Sequence, residues 1–263
     1  ETKPFIQMET FERHLDILDK LNVGQIRLIG GEPTLHPHFP MLVETALQRG
    51  KPILIFSNGL MPPKVVATLE KTDPQTCTVL VNMSAANGVQ RLNQEQQERR
   101  SWVLQQLGPR VLLGFNITDP IFALDDLFDV IRNSDCQRSI RIGLAQPVLN
   151  GKNRYLRPKY YPKVGRSIVD SAIQAYELGI VLEFDCGFVR CMFSDEEVEI
   201  LEKTGADYGW RCNPVLDIDI SGVVFHCYPL AEQFSINLSK VSDPRKLRDR
   251  FEWGFWMQAS SQS

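Results

Sequence analysis

The sequence predicts an α/β protein whose strands form one parallel sheet. Short apolar strands alternate with amphipathic helices over the first 184 residues, and most connections between them are short. Nearly continuous apolar runs are typical of parallel strands, because such strands are buried on both faces. Successive strand–helix–strand units join right-handedly, so neighbouring strands should lie parallel and side by side.

Helices are predicted where apolar residues recur at helical spacing and where glycine, asparagine or proline marks an end. In the first helix, Phe11, Leu15 and Leu18 recur at this spacing, and Gly24 follows. In order, the predicted helices cover residues 9–21, 39–48, 63–70, 95–107, 124–133, 167–178 and 194–203.

Strands are predicted where a short apolar run ends in small or polar residues. Six such runs cover residues 26–29, 52–56, 78–81, 111–117, 140–144 and 180–184. A loop rich in Lys, Arg, Tyr, Gly and Pro is predicted over residues 150–162, between the fifth strand and the helix that follows it.

After residue 184 the pattern changes to cysteines, short strands and a charged helix. We therefore predict two domains, the parallel α/β domain over residues 1–184 and a small Cys-containing C-terminal extension over residues 185–263. A hairpin is expected in the extension, with strands 216–220 and 223–226 joined at Gly222.

Composition limits the partners and the compartment. Hydrophobic residues make up 43% and charged residues 23% of the 263 residues, and the formal net charge is −3. This charge gives no electrostatic reason to expect nucleic acid or an anionic membrane as a partner. No apolar run approaches the roughly 20 residues that cross a bilayer, and no signal-peptide pattern is seen, so we predict a cytoplasmic protein.

The six cysteines divide into two groups. Cys77 and Cys136 are isolated and are predicted to be small core residues. The other four, which are close in sequence, predict a metal site: Cys186, Cys191, Cys212 and Cys227. Four thiolates suit one [4Fe–4S] cluster or a tetrahedral zinc ion, and buried free thiols are the structural alternative.

The first strand runs into Gly-Gly-Glu-Pro-Thr-Leu-His-Pro at positions 30–37. Glycine lets a ligand approach the main chain and accepts positive φ. Glu32 should stand at the carboxyl end of a strand, where α/β folds keep their ligand sites. The alternative is a glycine-rich turn with a solvated glutamate.

Polar residues follow the other strands at the same end of the sheet. Serine, asparagine and glutamine supply both donors and acceptors, so the set would suit a polar ligand. At any one position the alternative is an ordinary turn residue. The set that we predict to bind a cofactor comprises Ser57, Asn58, Asn82, Ser84, Asn116 and Gln146.

The string at 30–37, placed after an apolar strand, resembles the second-strand signature of the radical S-adenosylmethionine (SAM) enzymes. The resemblance implies a partial (β/α)6 TIM-like barrel. It also implies that this string, which begins Gly30-Gly31-Glu32-Pro33, binds the methionyl amino group of SAM. Ser57, Asn82, Ser84 and Asn116 match positions that contact the SAM methionine or ribose in that family.

The family also holds a [4Fe–4S] radical cluster with Cys-x3-Cys-x2-Cys after its first strand, and the printed sequence contains no such triplet. We expect the triplet and a first strand to precede Glu1, so that the sequence is trimmed. Cys212, Gly222 and Cys227 resemble the opening of the SPASM pattern, which carries auxiliary iron–sulfur clusters. The later SPASM cysteines do not occur before Ser263.

The resemblance implies an enzyme that reductively cleaves SAM to a 5′-deoxyadenosyl radical for hydrogen abstraction. A ribosomally made precursor peptide or protein is the expected substrate, and a flavodoxin or ferredoxin the expected reductant. No catalytic side chain is predicted. The alternative is a non-catalytic SAM-binding barrel or partner subunit that lacks the radical cluster.

Overall fold

The computed structural model describes residues 5–84, 92–148, 151–209, 215–247 and 251. Six strands form one sheet in sequential order, and every neighbouring pair is parallel. The strands are β1 (Ile26–Leu28), β2 (Ile53–Ser57), β3 (Cys77–Asn82), β4 (Val111–Ile117), β5 (Ser139–Leu144) and β6 (Val181–Phe184). The predicted α/β class and the number of parallel strands are confirmed.

The helices alternate with these strands, as predicted. They are α1 (Met8–Lys20), α2 (Phe39–Leu47), α3 (Pro63–Leu69), α4 (Gln94–Leu107), α5 (Asp125–Arg132), α6 (Tyr161–Glu177) and α7 (Asp195–Lys203). The main core lies between them and one face of the sheet, where Ile26, Ile55 and Val79 are almost fully buried. Leu54, Leu80 and Leu112 form a second, smaller cluster with Phe56. Since side chains alternate along a strand, this smaller cluster marks the opposite, inner face.

The start of α6 differs from the prediction. The helix begins at Tyr161, inside the segment predicted to be a loop, rather than at Ser167. Pro162 misled the prediction, because a proline in the first turn of a helix needs no hydrogen-bond partner and fixes a suitable φ. The predicted boundaries of the other helices agree with the structure to within one residue.

The C-terminal extension contains a three-stranded antiparallel sheet, made of β7 (Asp217–Ile218), β8 (Val223–Phe225) and β9 (Ser235–Asn237). The predicted hairpin is present with shorter strands, and the sequence pattern did not reveal β9. Gly222 has φ of 81° at the turn. Asp219 Oδ1 stabilises the turn by accepting bonds from the amides of Ser221 and Val223, at 2.8 and 2.9 Å.

The segment between β6 and the small sheet packs on the parallel domain. Phe188, Met192 and Leu201 belong to the main core. An ideal Cβ at Gly165 of α6 would lie 2.1 Å from the Met192 carbonyl oxygen, so the two segments are in close contact. The division at residues 184 and 185 therefore stays a prediction.

Candidate functional site

Gly30 and Gly31 lie directly after β1 and are exposed. No atom lies within 4 Å of an ideal Cβ at either position, and neither has a positive φ. The expected need for positive φ is therefore not found here. No packing contact in the described protein explains the two glycines. The space beside them is open, so a ligand can approach the main chain there.

Glu32 is half-buried and its carboxylate joins the ends of two strands. Its Oε1 accepts hydrogen bonds from the Ser57 hydroxyl at 3.0 Å and from the Thr34 hydroxyl and amide at 2.6 and 3.3 Å. Its Oε2 accepts a bond from the Asn58 amide at 2.7 Å. Glu32, Ser57 and Asn58 are therefore brought together as predicted, and Thr34 is a partner that the sequence analysis missed.

A second polar group lies at the ends of β3, β4 and β5. The Asn116 amide donates to Ser84 Oγ at 2.5 Å, and Asn82 Oδ1 accepts a bond from the Ser84 amide at 3.0 Å. An ideal Cβ at Gly143 would lie 2.5 Å from Asn116 Oδ1. Ser84 thus contacts both Asn82 and Asn116, and Gly143 makes room for the Asn116 side chain.

Gln146 lies further along the same edge. Its side-chain Nε2 donates to the Gly187 carbonyl at 3.3 Å, and its main-chain carbonyl accepts a bond from Asn153 Nδ2 at 2.8 Å. These contacts tie the end of β5 to the segment after β6. They do not connect Gln146 to Glu32.

A cavity of about 1460 Å³ extends from the glycine-containing string to the small C-terminal sheet. Its walls are mostly apolar and come from α1, β1 and the β7–β8 hairpin. Of the predicted site residues, those lining it are Gly30, Gly31, Glu32, Pro33, Asn58 and Cys227.

The histidines of the motif have structural contacts. His36 is buried, and its Nδ1 accepts a bond from the His38 amide at 3.0 Å. Its Nε2, 2.9 Å from the Ile6 carbonyl, is therefore the donor in that second contact. His36 thus fixes the segment before α1 against the loop after β1.

The predicted metal ligands are only partly described. Cys186 and Cys191 are exposed, Cys227 is half-buried, and Cys212 lies outside the described residues. Within the described ranges, no three side chains of His, Cys, Asp or Glu are arranged to hold a metal ion. Cys77 and Cys136 are buried, and burial raises the pKa of both thiols.

The inner face of the sheet carries charged residues that the sequence analysis did not select. Arg141 on β5 forms an ion pair of 2.7 Å with Asp185 and lies over the Phe56 ring, 5.4 Å from its centroid. Arg27 on β1 shares this face and lines the cavity together with Asp217 of β7. A single charge within an apolar strand, as in Ile26-Arg27-Leu28, was the available sequence signal.

None of the described helices is long and apolar enough to cross a membrane.

No protein-family model and no curated protein sequence matches the chain. Solved structures do match. SuiB of Streptococcus suis bound to S-adenosylmethionine superimposes with a TM-score of 0.66 at 14% identity, over 94% of this chain and 59% of SuiB. SuiB bound to the precursor peptide SuiA gives 0.65 at 12% identity, over 94% and 58%.

A second protein, anSMEcpe with bound AdoMet, gives a TM-score of 0.62 at 14% identity, over 96% of this chain and 74% of that one. The chain spans less than two thirds of the length of SuiB. At these identities the comparison concerns the fold. The chain has the fold of SuiB and anSMEcpe, two proteins whose structures contain S-adenosylmethionine.

Proposed function

We propose that the chain is the barrel portion of a radical SAM enzyme and that the string Gly30-Gly31-Glu32-Pro33 binds the methionyl end of SAM. The observation that carries the proposal is the fixed carboxylate of Glu32 beside two glycines with open space above them. The same residues line a cavity large enough for a ligand of this size. Two proteins of the same fold, solved with SAM bound, support the assignment.

The residues present fit the chemistry of an amino acid. Glu32 Oε2 accepts a bond only from the Asn58 amide among the described contacts, which leaves this oxygen able to accept from an ammonium group. Ser57 and Asn58 hold the carboxylate in place, so it would not need to reorient on binding. Bound SAM would supply, on one-electron reduction, the radical that abstracts hydrogen from the substrate.

The second polar group is proposed to contact the ribose of SAM. Hydroxyl groups of a ribose both donate and accept hydrogen bonds, and the side chains of Asn82, Ser84 and Asn116 offer both functions. The contacts of Ser84 with Asn82 and Asn116 hold the three residues at the ends of β3 and β4. Gln146 lies at the same end of the sheet and is included in the proposed site, and its side-chain amide donates to the Gly187 carbonyl.

The described residues do not form a site for the radical [4Fe–4S] cluster. We assign its ligands to a segment outside the printed sequence. Two features support this: in the described sheet β1 is an edge strand with no partner beyond it, and the cavity runs along that edge. An auxiliary cluster on Cys186, Cys191, Cys212 and Cys227 remains a separate proposal.

The proposed substrate is a precursor peptide or protein. SuiB, which shares the fold, has been solved with a precursor peptide bound. A reductant protein such as a flavodoxin or ferredoxin would deliver the electron.

The second candidate is a non-catalytic SAM-binding or partner subunit. The Glu32 contacts and the open space above Gly30 and Gly31 are equally compatible with SAM binding without catalysis. The residues encoded before Glu1 discriminate between the two functions. A Cys-x3-Cys-x2-Cys triplet there would support the enzyme, and its absence from the complete gene would support the binding subunit.

The central test is SAM binding by calorimetry with the intact protein and its Glu32→Gln variant. Loss of a charge-assisted contact is expected to cost about 1.5–3 kcal/mol, or roughly one to two decades in affinity. Glutamine keeps the size of the side chain, whereas Glu32→Ala would also release the two loops that the carboxylate joins. The exposed Glu12→Gln variant is the control. Equal SAM affinity in the wild type and Glu32→Gln would contradict the assignment.

A further inference from the structure

A continuous basic segment follows β5 at the carboxyl end of the sheet. Residues 151–169 contain no Asp or Glu, although the formal net charge of the whole chain is −3. The cationic residues of this stretch are all exposed, and they are Lys152, Arg154, Arg157, Lys159, Lys163 and Arg166. We call residues 151–166 the basic segment. An exposed surface of one sign attracts partners of the opposite charge.

Contacts with the end of β5 anchor the basic segment. Leu156 is almost fully buried, and its amide donates to the Ala145 carbonyl at 3.4 Å. Asn153 Nδ2 donates to the Gln146 main-chain carbonyl at 2.8 Å, and Asn153 Oδ1 accepts a bond from the Val148 amide at 3.0 Å. The exposed charges therefore belong to an anchored surface beside Gln146, a residue of the proposed SAM site.

Most of these charges have no acidic partner within the protein. Within the described ranges, four of the residues take part in no ion pair, and these are Lys152, Arg157, Lys159 and Lys163. Arg166 Nε lies 3.9 Å from Glu197 Oε1, which is a long contact. Lys159 Nζ lies over the Tyr160 ring, 4.9 Å from its centroid. That contact orients the ammonium group without neutralising it.

The stability of the fold does not explain this arrangement of charges. Lys163 lies in the first turn of α6, where the helix dipole disfavours a cation, and this turn contains no acidic residue. Lys163 and Arg166 are three positions apart on the helix, so they are neighbours, and like charges at this spacing are destabilising. An anionic partner would remove both conflicts.

The place of the basic segment favours the substrate over the reductant as this partner. In the sheet, β5 is four strands from β1, which is about 19 Å at the usual strand spacing. The radical cluster is proposed to lie at the β1 edge, so a reductant has to approach that edge. A peptide can instead cross the carboxyl end of the sheet, and an extended chain covers this distance with about six residues.

We propose that the basic segment binds an acidic stretch of the peptide substrate, whose carboxylates pair with Lys152, Arg157, Lys159 and Lys163. This inference rests on the proposed function and names the chemical class of substrate, a peptide with several Asp or Glu residues close in sequence. Tyr155, which is 40% exposed, lies within the segment and adds an aromatic side chain of the kind enriched in protein interfaces.

The test measures fluorescence anisotropy of a labelled peptide of alternating Glu and Gly, titrated with the intact protein. The variant that combines Lys152→Gln, Arg157→Gln, Lys159→Gln and Lys163→Gln should bind the peptide about tenfold more weakly, the combined effect of four exposed ion pairs. Wild-type affinity should fall as the salt concentration rises, because salt screens exposed charges. A peptide of alternating Gln and Gly should bind much more weakly than the Glu peptide.

Two matched variants separate local contacts from net charge. The first combines Lys20→Gln, Lys64→Gln, Lys71→Gln and Lys240→Gln, which removes the same charge at exposed lysines elsewhere and should leave peptide binding unchanged. The second combines Lys152→Arg, Arg157→Lys, Lys159→Arg and Lys163→Arg, which keeps the charges and should bind like the wild type. Equal loss of affinity in the first variant and in the basic-segment variant would overturn the proposal.

Other results would also overturn it. Equal wild-type affinity for the Glu and Gln peptides would exclude recognition of acidic residues. Weaker binding of labelled flavodoxin to the basic-segment variant, with unchanged peptide binding, would assign the surface to the reductant. An oligothymidylate that binds more tightly than the Glu peptide and depends on the same residues would assign it to nucleic acid.

Circular dichroism identifies a basic-segment variant that fails to fold. The double variant Lys152→Gln/Arg157→Gln, which changes no helical residue, then takes its place with an expected loss of about threefold. An unchanged affinity in a folded double variant would overturn the proposal.

Calorimetric titration of SAM into the same proteins separates this inference from the proposed function. If SAM binds the wild type and the basic-segment variant equally while the peptide result is negative, only the inference on the acidic substrate fails. If the wild type binds the acidic peptide but not SAM, the proposed function fails and the acidic-peptide surface remains.

Discussion

At the scale of single residues, the Glu32 carboxylate, which we propose to bind SAM, also has a structural role. Its carboxylate accepts bonds from the segment after β1 and from the end of β2. The sequence predicted that Glu32, Ser57 and Asn58 lie at one end of the sheet, but not the individual hydrogen bonds between them or the contact with Thr34. The contacts fix the carboxylate in one orientation, which suits a preformed ligand site.

His14 gives a prediction on the pH dependence of stability. The residue is buried on α1; burial lowers its pKa below 6.5, Arg13 lowers it further, and Asp219 opposes the shift. Above pH 6.5 both the folded and unfolded states hold a neutral ring. As the pH falls below 6.5, the unfolded state binds a proton first, so the free energy of unfolding should decrease until the pH reaches the folded pKa.

The measurement is urea unfolding at several pH values from about 5 to about 7.5, spanning the ordinary histidine pKa. His14→Gln should remove most of the decrease in this window. His38→Gln, which removes an exposed ring, is the control and should keep the wild-type slope. An unchanged slope in His14→Gln would show that other groups control the acid sensitivity.

At the scale of elements, α6 depends on a close approach to the segment after β6. Gly165 occupies the point of contact, where an ideal Cβ would lie 2.1 Å from the Met192 carbonyl oxygen and 3.3 Å from the Phe193 ring. A backbone carbonyl cannot move aside as a flexible side chain can. The helix-breaking tendency of glycine is therefore tolerated here because it permits the packing.

We expect Gly165→Ala to lower the free energy of unfolding by about 1–3 kcal/mol, the usual cost of overpacking, although alanine is the better helix former. Urea unfolding measures the change. Gly209→Ala is the control, because its Cβ would have no neighbour within 4 Å and its φ is not positive. A more stable Gly165→Ala protein would contradict the close packing of α6 against Met192.

At the scale of the whole molecule, the cysteines of the C-terminal extension test whether the chain carries an auxiliary cluster. If Cys186, Cys191, Cys212 and Cys227 bind one [4Fe–4S] cluster, anaerobic reconstitution should give about four iron and four sulfide per chain. Each single Ser replacement should lower that content, because an alkoxide suits iron–sulfur coordination less well than a thiolate. Cys77→Ser, at a buried core position, is a control for general loss of folding.

Other results would assign the cysteines differently. One zinc per chain without colour would indicate a zinc site, and absence of both metals would indicate structural thiols. Iron uptake only by a protein that extends beyond Ser263 would show that the partners of Cys212 and Cys227 lie downstream.

The sequence by itself determined the local elements and their type. Apolar runs such as Ile53–Ser57 and amphipathic segments such as α1 identify parallel strands and covering helices, because burial on both faces or on one face is a local pattern. It also placed Gly30–Glu32 and the Ser/Asn residues at one edge of the sheet, since parallel strands end together. Because prolines lie near Tyr161, the sequence analysis predicted a loop there and placed the start of α6 too late.

Only the tertiary structure decided which of those residues meet. It joined Glu32 to Ser57 and Asn58, and it left Gln146 with Gly187. It also brought Arg27 and Asp217 to one cavity although 190 positions separate them. Such contacts depend on how the sheet, the helices and the extension pack together. This packing results from many weak interactions between residues that are distant in sequence, so a local sequence pattern cannot predict it.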